Sequence, residues 1–488
     1  MTTDLVLAVD QGTTNTKALV VDAEGGVVAR AARPMTVAYP RPGWAEQSAD
    51  GIWTTVREAM AEVIDRIAPR RPVAIAVSNQ RESVVLWDRA SGAPVGPCVI
   101  WQCRRSAAAC DALRARGLAE TIREKTGLGL DPLFPAAKIA WLIDREPSLR
   151  PRAERGELAV GTIDSWLLWN LTGGRVHACD RSNASRTQLY DIRRLAWDEE
   201  LAEIFRVPPA VLPRVLPSDT DFGATAAGIP GIPAGLPIRT MMGDSHAALY
   251  GHAVDGPGTV KATYGTGSSL MTLTDGVVAS RHGLASTIAW SRGDRVAHAL
   301  EGNISVSAQA AAFMAKMLGL ADVAALSALA ETVPSSDGVV FVPALVGLGA
   351  PHWDAAARGL VCGLSLGSTP AHLARAAFEA IALQITDVVE AMELDLGRPL
   401  ARLSVDGGAT ANPFLMRLQA DLAGRPIDVS GTAELSAVGA ARMAFAALSG
   451  DDARLFAPSV TSFEPTMAEE RRDEIRAGWR RALDRTRG

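Results

Sequence analysis

Residues 5–22 read LVLAVDQGTTNTKALVVD, two apolar runs on either side of a polar, glycine-containing turn. The runs at 5–9 and 18–21 are rich in valine and leucine, the composition of buried strands, so the stretch predicts a β-hairpin. Its turn carries the chemistry. Gly12 offers the backbone freedom for a tight turn that shows successive N–H groups to an anion. Thr13, Thr14, Asn15 and Thr16 add hydroxyl and amide donors, and Lys17 adds a point positive charge suited to a phosphate oxygen. Asp10 closes the first strand, and its carboxylate would repel a phosphate held there unless a hard cation such as Mg²⁺ stood between them. This is not a Walker A loop, because Ala18 follows Lys17 and a strand-like run stands where a helix should begin; the Rossmann glycine pattern is absent as well. Taken alone, the stretch reads equally well as an ordinary threonine-rich turn whose aspartate is satisfied by local N–H groups.

A second copy changes that balance. Residues 258–275, GTVKATYGTGSSLMTLTD, repeat the strand, a turn built on Gly265, Thr266 and Gly267, and another strand. Two such hairpins opening two halves of one chain suggest duplicated domains with paired phosphate grips, divided as 1–250 and 251–488. The length of 488 residues also exceeds what one core usually holds. A hydrophobic content of 48% with 21% charged residues is that of a globular protein, and a net charge of -5 argues against nucleic acid as a partner. Cys98, Cys103, Cys110, Cys179 and Cys362 form no CxxC pair and no dense framework, which fits thiols used as small core residues in a reducing cytosol. The first residues lack a basic segment followed by a long apolar one, and no run of about eighteen apolar residues follows, so a cytoplasmic protein with no membrane partner is expected.

Between the hairpins, residues 48–67 have helical spacing, with Ile52, Val56, Met60, Val63 and Ile67 on one face. A strand at 73–77 runs into SNQRES, which places Arg81 and Glu82 just past its carboxyl end, where open α/β sheets bind ligands. An ordinary ion pair is the competing reading. Trp101, in VIWQCRR, follows another apolar segment, and a tryptophan in that setting is more often core than ligand wall. In LPIRTMMGDSHAALYGH, residues 236–252, a strand ends at Gly243 and a helix begins at Asp244 and Ser245. Asp244 suits a helix N-cap worth about 1 kcal/mol, or a general base. His246 and His252, six apart, do not share a helix face as an HExxH pair does, which weighs against a metal. Farther on, LSVDGGATANPFLMRLQADLAG at 403–424 predicts strand, turn and helix, with Asn412 as N-cap and Pro413 in the first turn. A long amphipathic helix is expected at 379–396 and a charged terminal one at 467–488.

The ordered set DQGTTNTK, SNQRES, VIWQCRR, GDSHAALYGH, TYGTG, ALEG, GLGAPHWD and VDGGATANPFLMRLQADL resembles the FGGY carbohydrate kinases, and among them most the glycerol kinases, over residues 5–450. The resemblance implies an α/β actin-like ATPase fold, two ribonuclease H-like domains flanking an ATP cleft. It also implies ATP and Mg²⁺-dependent phosphorylation of a hydroxyl on a small polyol or sugar, and family members are often dimers or tetramers. Carried over by position, it puts Thr13, Thr14, Asn15 and Lys17 at the ATP phosphates and Asp10 near Mg²⁺. Thr266 and Gly267 fall in the second phosphate hairpin, and Gly408 and Asn412 at the adenosine site. Arg81, Glu82, Trp101 and Asp244 fall at the polyol, with Asp244 as base. A carboxylate that takes the hydroxyl proton is worth 10²–10⁴-fold in such a reaction. A scaffold without kinase activity is the reading from another class, and retention of both Asp10 and Asp244 argues against it.

Departures from the family pattern are as informative. Leu133 stands where glycerol kinases carry a tyrosine after DP, Ser245 where a glutamine follows the catalytic aspartate, and Ser269 where a phenylalanine wall follows TYGTG. Two aromatic surfaces of about 150–250 Å² each are therefore missing. The acceptor pocket should be larger, with tetritols, pentitols and ketopentoses such as xylulose joining glycerol as candidates; a pentulose kinase is the alternative. Ala308 and Ala312 replace a family glycine and glutamine on the adenine side. The arginine loop of some bacterial glycerol kinases has no counterpart in IPGIPAGLPIR, residues 229–239, so sugar-bisphosphate control is not expected.

Overall fold

A computed structural model describes residues 4–254, 256–450 and 456–487. In chain order, β1 (Leu5–Gln11), β2 (Asn15–Asp22) and β3 (Val27–Pro34) form an antiparallel meander. Helix α1 (Ala49–Ile67) then crosses over to β4 (Ala74–Asn79), which pairs parallel with β1. The Ser48 side chain accepts the Gly51 N–H at its start, so the expected helix carries its own cap. Helices α2 (Pro135–Asp144) and α3 (Arg181–Ala184) precede β5 (Ile238–Gly243), parallel to β4, and α4 (Asp244–Gly251) follows it directly. The sheet order is β3-β2-β1-β4-β5.

That plan recurs. Strands β6 (Thr259–Tyr264) and β7 (Ser268–Thr274) are antiparallel, and β8 (Arg295–Ile304) lies next to β7. After α5 (Pro370–Leu396) comes β9 (Arg402–Asp406), parallel to β6; after α6 (Pro413–Ala423) comes β10 (Ile427–Ser430), parallel to β9. Within a seven-stranded sheet, the order β8-β7-β6-β9-β10 repeats that of the first sheet, with Ala285–Arg292 and Val460–Phe463 added at the two edges. This duplicated, ribonuclease H-like topology is the α/β class expected. Helix α5 begins at Pro370, earlier than the periodicity from residue 379 suggests, because Thr369 and His372 close a capping box there. Helices α7 (Leu435–Ser449) and α8 (Glu469–Arg487) end the chain; Gly488 lies outside the described residues.

The chain divides into two compact units, and a single cut at 250/251 does not separate them. The first comprises Met1–Ala253, Ser286–His298 and Glu434–Ala457; the second comprises Val254–Ala285, Ala299–Ala433 and Pro458–Gly488. Helix α7, distant in sequence, thus belongs to the first unit. One face of its sheet buries Leu7, Val9, Ala18 and Val20 with Ile52, Val56, Met60 and Val63 of α1. The other buries Val6, Ala8, Leu19 and Val21 with Ala437, Ala440, Ala441 and Ala444 of α7. Alternate residues of one strand serve opposite layers, which is why the runs at 5–9 and 18–21 are continuously apolar. Helices α7 and α4 cross at glycines: a Cβ on Gly439 would stand 1.9 Å from the Ala247 carbonyl oxygen. In the second unit, Val260, Ala262, Leu403 and Val405 pack with Phe378, Ile381 and Ile385 of α5 and Leu415 of α6. Among the described residues, no helix is long and apolar enough to cross a membrane, and all five cysteines are free thiols.

Candidate active site

The first hairpin places Asp10 opposite Lys17 across the strand pair and opposite Ser78 on β4, whose hydroxyl donates to Asp10 Oδ1 at 3.0 Å. Burial pushes the Asp10 carboxyl up to about 6; the Asp244 charge adds to that push, while Lys17 and Ser78 oppose it. Thr14 and Asn15 are exposed at the tip, and Thr13 and Lys17 are half-buried. Gly12 keeps an ordinary negative φ, contrary to the expectation of special angles. Its lack of a side chain matters for space instead, since a Cβ there would stand 3.1 Å from the Asn15 carbonyl oxygen.

Beneath the turn lies a network that the sequence reading missed. Gln47 Nε2 donates to the Thr13 carbonyl (2.8 Å), and Gln80 Nε2 donates to Gln47 Oε1 (2.8 Å) and Gln11 Oε1 (3.1 Å). Gln80 Oε1 accepts from the Thr13 hydroxyl (3.2 Å) and from Ser83 (2.8 Å). Three buried glutamines therefore lock the hairpin turn to the segment that carries Arg81 and Glu82. Gln11 and Gln80 stand inside the motifs and Gln47 at the end of the YPRPGWAEQ connector, and their place there was the one signal the sequence held. Trp101 joins the same network and is no core residue: it is 38% exposed, and its indole N–H donates to Thr13 Oγ1 at 2.8 Å. Its own backbone N–H is held by Ser83 Oγ at 3.1 Å.

Arg81, Glu82 and Asp244 come together at the carboxyl ends of β4 and β5. Arg81 Nε stands 3.2 Å from Asp244 Oδ1. Asp244 is the first residue of α4 and not its N-cap, which is Gly243; it accepts the N–H of Ser245, at 2.6 Å. The capping alternative thus fails on position, and the carboxylate is half-exposed beside a buried arginine. Glu82 has φ +55°, a costly conformation for a residue with a side chain. It is held from two sides. Arg186 Nε donates to Glu82 Oε1 at 2.7 Å, and the buried Lys138 Nζ donates to the carbonyls of Glu82 (2.9 Å) and Leu133 (2.6 Å). Burial brings the Lys138 ammonium down to about 8, with the Glu82 charge opposing. Leu133 is thereby tied to Glu82, and Ser245 is half-buried next to Asp244. His246 is buried with its Nε2 3.2 Å from Thr287 Oγ1. Among the described residues, no group of three or more His, Cys, Asp or Glu is placed to hold a metal.

In the second unit, Gly265 N–H bonds the Gly267 carbonyl (2.9 Å), and Thr266 is exposed at the turn with its carbonyl accepting from Ser307 N–H (2.8 Å). A Cβ on Gly267 would stand 2.3 Å from the Ile304 carbonyl. Ser269 lies on β7 in this unit, its hydroxyl 3.4 Å from Glu301 Oε1. After β9, the glycine that the backbone demands is Gly407, at φ +100° and hard against Tyr264, whereas Gly408 faces open space. Asn412 is the N-cap as expected, its Oδ1 accepting from Phe414 and Leu415 N–H and its Nδ2 donating to Ser327. That occupies the side chain with capping. Ala308 and Ala312 lie on one helix, Ala308–Met317, half-buried and exposed respectively.

Comparison with known proteins agrees with this geometry. Residues 5–251 match the model of the FGGY family of carbohydrate kinases, N-terminal domain, and residues 260–448 that of the C-terminal domain. A glycerol kinase of Symbiobacterium thermophilum is 47% identical over 99% of this chain and 98% of its own length. An apulose kinase of Pectobacterium atrosepticum is 48% identical over 90% of this chain and 89% of its own. The crystal structure of Plasmodium falciparum glycerol kinase with ADP superposes with a TM-score of 0.94 at 31% identity, covering 99% of this chain and 98% of that one. The chain belongs to the FGGY family of carbohydrate kinases, actin-like ATPases in fold, and is an ATP-dependent kinase of a sugar or polyol hydroxyl.

Proposed function

We propose that the acceptor is larger than glycerol, a four- or five-carbon polyol or ketose, phosphorylated with Asp244 as general base. The observation that carries this is the tie through Lys138: it fastens Leu133 to Glu82, so a position without the family's tyrosine belongs to the acceptor site. Ser245, beside Asp244, shortens a second wall. The 48% identity to an enzyme named apulose kinase, over 90% of this chain, stands beside 47% to a glycerol kinase over 99% of it and supports widening the candidates.

In this reading Arg81 and Glu82 donate to and accept from neighbouring acceptor hydroxyls, and Trp101 offers its exposed indole face to the carbon skeleton. Arg81 also orients Asp244, which takes the proton of the attacking hydroxyl as the bond to phosphorus forms. Lys17 and the N–H groups of the Thr13–Asn15 turn hold phosphate oxygens, and stabilising that charge is most of what phosphoryl transfer needs. Thr266 and Gly267 take the same part from the second hairpin, and the open backbone at Gly408, with Asn412 behind it, receives the adenosine. Asp10 fits a Mg²⁺ bound jointly with nucleotide phosphates, because a buried carboxylate whose proton affinity the nearby Asp244 charge raises invites a cation, and one carboxylate is too few to cage it alone. When bound, that ion neutralises charge on the transferring phosphoryl group.

The test is a coupled ADP-release assay with Mg²⁺-ATP against glycerol, erythritol, ribitol, xylitol, apulose, D- and L-xylulose, D- and L-ribulose and gluconate. The highest kcat/KM is expected on a four- or five-carbon acceptor. Glycerol as the best substrate would overturn the enlarged pocket.

A further inference from the structure

Arg81 and Glu82 follow the end of β4 and Asp244 follows the end of β5, and one buried element touches both strand ends. Asp180, fully buried, caps α3. Its carboxylate accepts the N–H groups of Ser182 and Asn183 (both 2.9 Å), the Ser182 hydroxyl (2.9 Å), the Asn183 amide (2.9 Å) and the Ser218 hydroxyl (2.8 Å). With two oxygens engaged by five donors, the carboxylate fixes the rotamers of both helix residues. Those residues then face outward from the cap. Ser182 Oγ accepts the backbone N–H of Gly243 at 3.0 Å, the residue that immediately precedes Asp244. Asn183 Oδ1 accepts from Asn79 Nδ2 at 2.9 Å, and Asn183 Nδ2 donates back to Asn79 Oδ1 at 3.2 Å; Asn79 ends β4, two residues before Arg81. In the turn after α3, Arg186 grips Glu82.

We propose that Asp180, acting through α3, is the positioning residue of the acceptor site: it fixes the ends of β4 and β5, and with them the placement of Asp244 against Arg81 and Glu82. Ser182 carries the arm to the base, and Arg186 the arm to the residue that holds the acceptor hydroxyls. The inference rests on the roles of Asp244 and Glu82 given above.

The arms can be cut separately. Ser182→Ala removes the acceptor of the Gly243 N–H, so Asp244 drifts while Glu82 stays held. Expected is a fall in kcat of about ten- to a hundredfold, the usual consequence of a misplaced reacting group, with acceptor KM within about twofold of wild type. Arg186→Met frees Glu82 and should raise acceptor KM at least about tenfold, with a smaller change in kcat. Amide hydrogen exchange across residues 239–246 gives a readout independent of chemistry: it should quicken in Ser182→Ala and in Asp180→Asn and stay unchanged in Arg186→Met. In the wild type the Gly243 amide should be strongly protected, a measurement that needs no variant to fold. Fast exchange at Gly243 in the wild type would overturn the proposal. So would equal losses of kcat at constant KM in both variants, the mark of a smaller folded fraction. Failure of the assigned roles looks different: Asp244→Asn would then retain turnover while Gly243 protection stood.

Discussion

Across the first hairpin Asp10 faces Lys17, and on the next strand it faces Ser78. At the matching places of the second hairpin, Thr263 faces Ser269 and, on the next strand, Asp406. The backbone plan is shared down to strand order, yet the charged pair that could serve a phosphate and a cation exists only in the first. Its turn is also tied by Gln11, Gln47 and Gln80 to the acceptor residues, whereas the second turn is fixed by backbone bonds from Ser307 and Ala308. The two hairpins share one shape, and the charged groups at these places are concentrated in one of them.

The largest effect tests that concentration. Asp244→Asn should lower kcat by about 10²–10⁴-fold while ADP binding, followed by calorimetry, stays within about threefold of wild type. Unchanged turnover would take Asp244 out of the mechanism and leave the first unit with no base.

A paired substitution then compares the hairpins directly. Lys17→Met removes charge and keeps length, and should cost about a hundredfold in kcat/KM for ATP, the scale of losing one donor to a transition-state oxyanion. Thr266→Val in the second hairpin removes a neutral hydroxyl and should cost no more than about tenfold. Equal losses would mean that the two grips share the charge work after all. Gly267→Ala is a different case, because its new methyl meets the Ile304 carbonyl; it should impair folding of the turn before it affects chemistry.

How much of this was legible beforehand follows the same division. The hairpins, the continuous apolar strands, Arg81 and Glu82 past a strand end, and the Asn412 cap were readable, since each is a local pattern of a few adjacent residues. Return of α7 to the first unit was not: its alanines on one face of the sheet say that something packs there, and nothing in the sequence says which sheet. The glutamine network, Lys138 and Arg186 escaped for a related reason. The bonds that matter cross long stretches of chain, from Gln80 to Gln47 over 33 residues, from Lys138 to Glu82 over 56 and from Arg186 to Glu82 over 104, and a buried amide or guanidinium has no periodicity to betray it. Even within a legible motif the reason differed, as Gly12 shows, where a tight contact with the Asn15 carbonyl and not φ disfavours a side chain.

Lys138 gives a smaller, sharper probe of the acceptor side. Lys138→Met should leave the carbonyls of Leu133 and Glu82 without their donor, a loss of about 1–3 kcal/mol for each buried group, offset in part because the desolvated ammonium is gone. A lower melting temperature is expected, together with an altered ratio of kcat/KM between four- and five-carbon acceptors. A lower melting temperature with an unaltered ratio would make the lysine structural only.

The subtlest effect concerns Asp10, whose carboxyl is pushed up to about 6 by burial and by the Asp244 charge. Below that pH Asp10 holds a proton, which Mg²⁺ must displace, so affinity for Mg²⁺-ADP should fall up to tenfold per pH unit as the pH drops below about 6. Asp244→Asn removes the second-largest cause of the shift, and the inflection should move to lower pH. The sign carries through to stability. With a proton bound more tightly in the folded state than at the ordinary value of 3.8, unfolding free energy falls as pH rises from about 4 to about 6. Asp244→Asn should flatten that slope, measured by thermal melts without nucleotide. The second hairpin has Thr263 in the matching place, and burial of Asp10 together with Asp164, itself pushed up to about 7 by burial, keeps part of the slope in Asp244→Asn, so a slope wholly unchanged by the substitution would take the Asp244 charge out of this window.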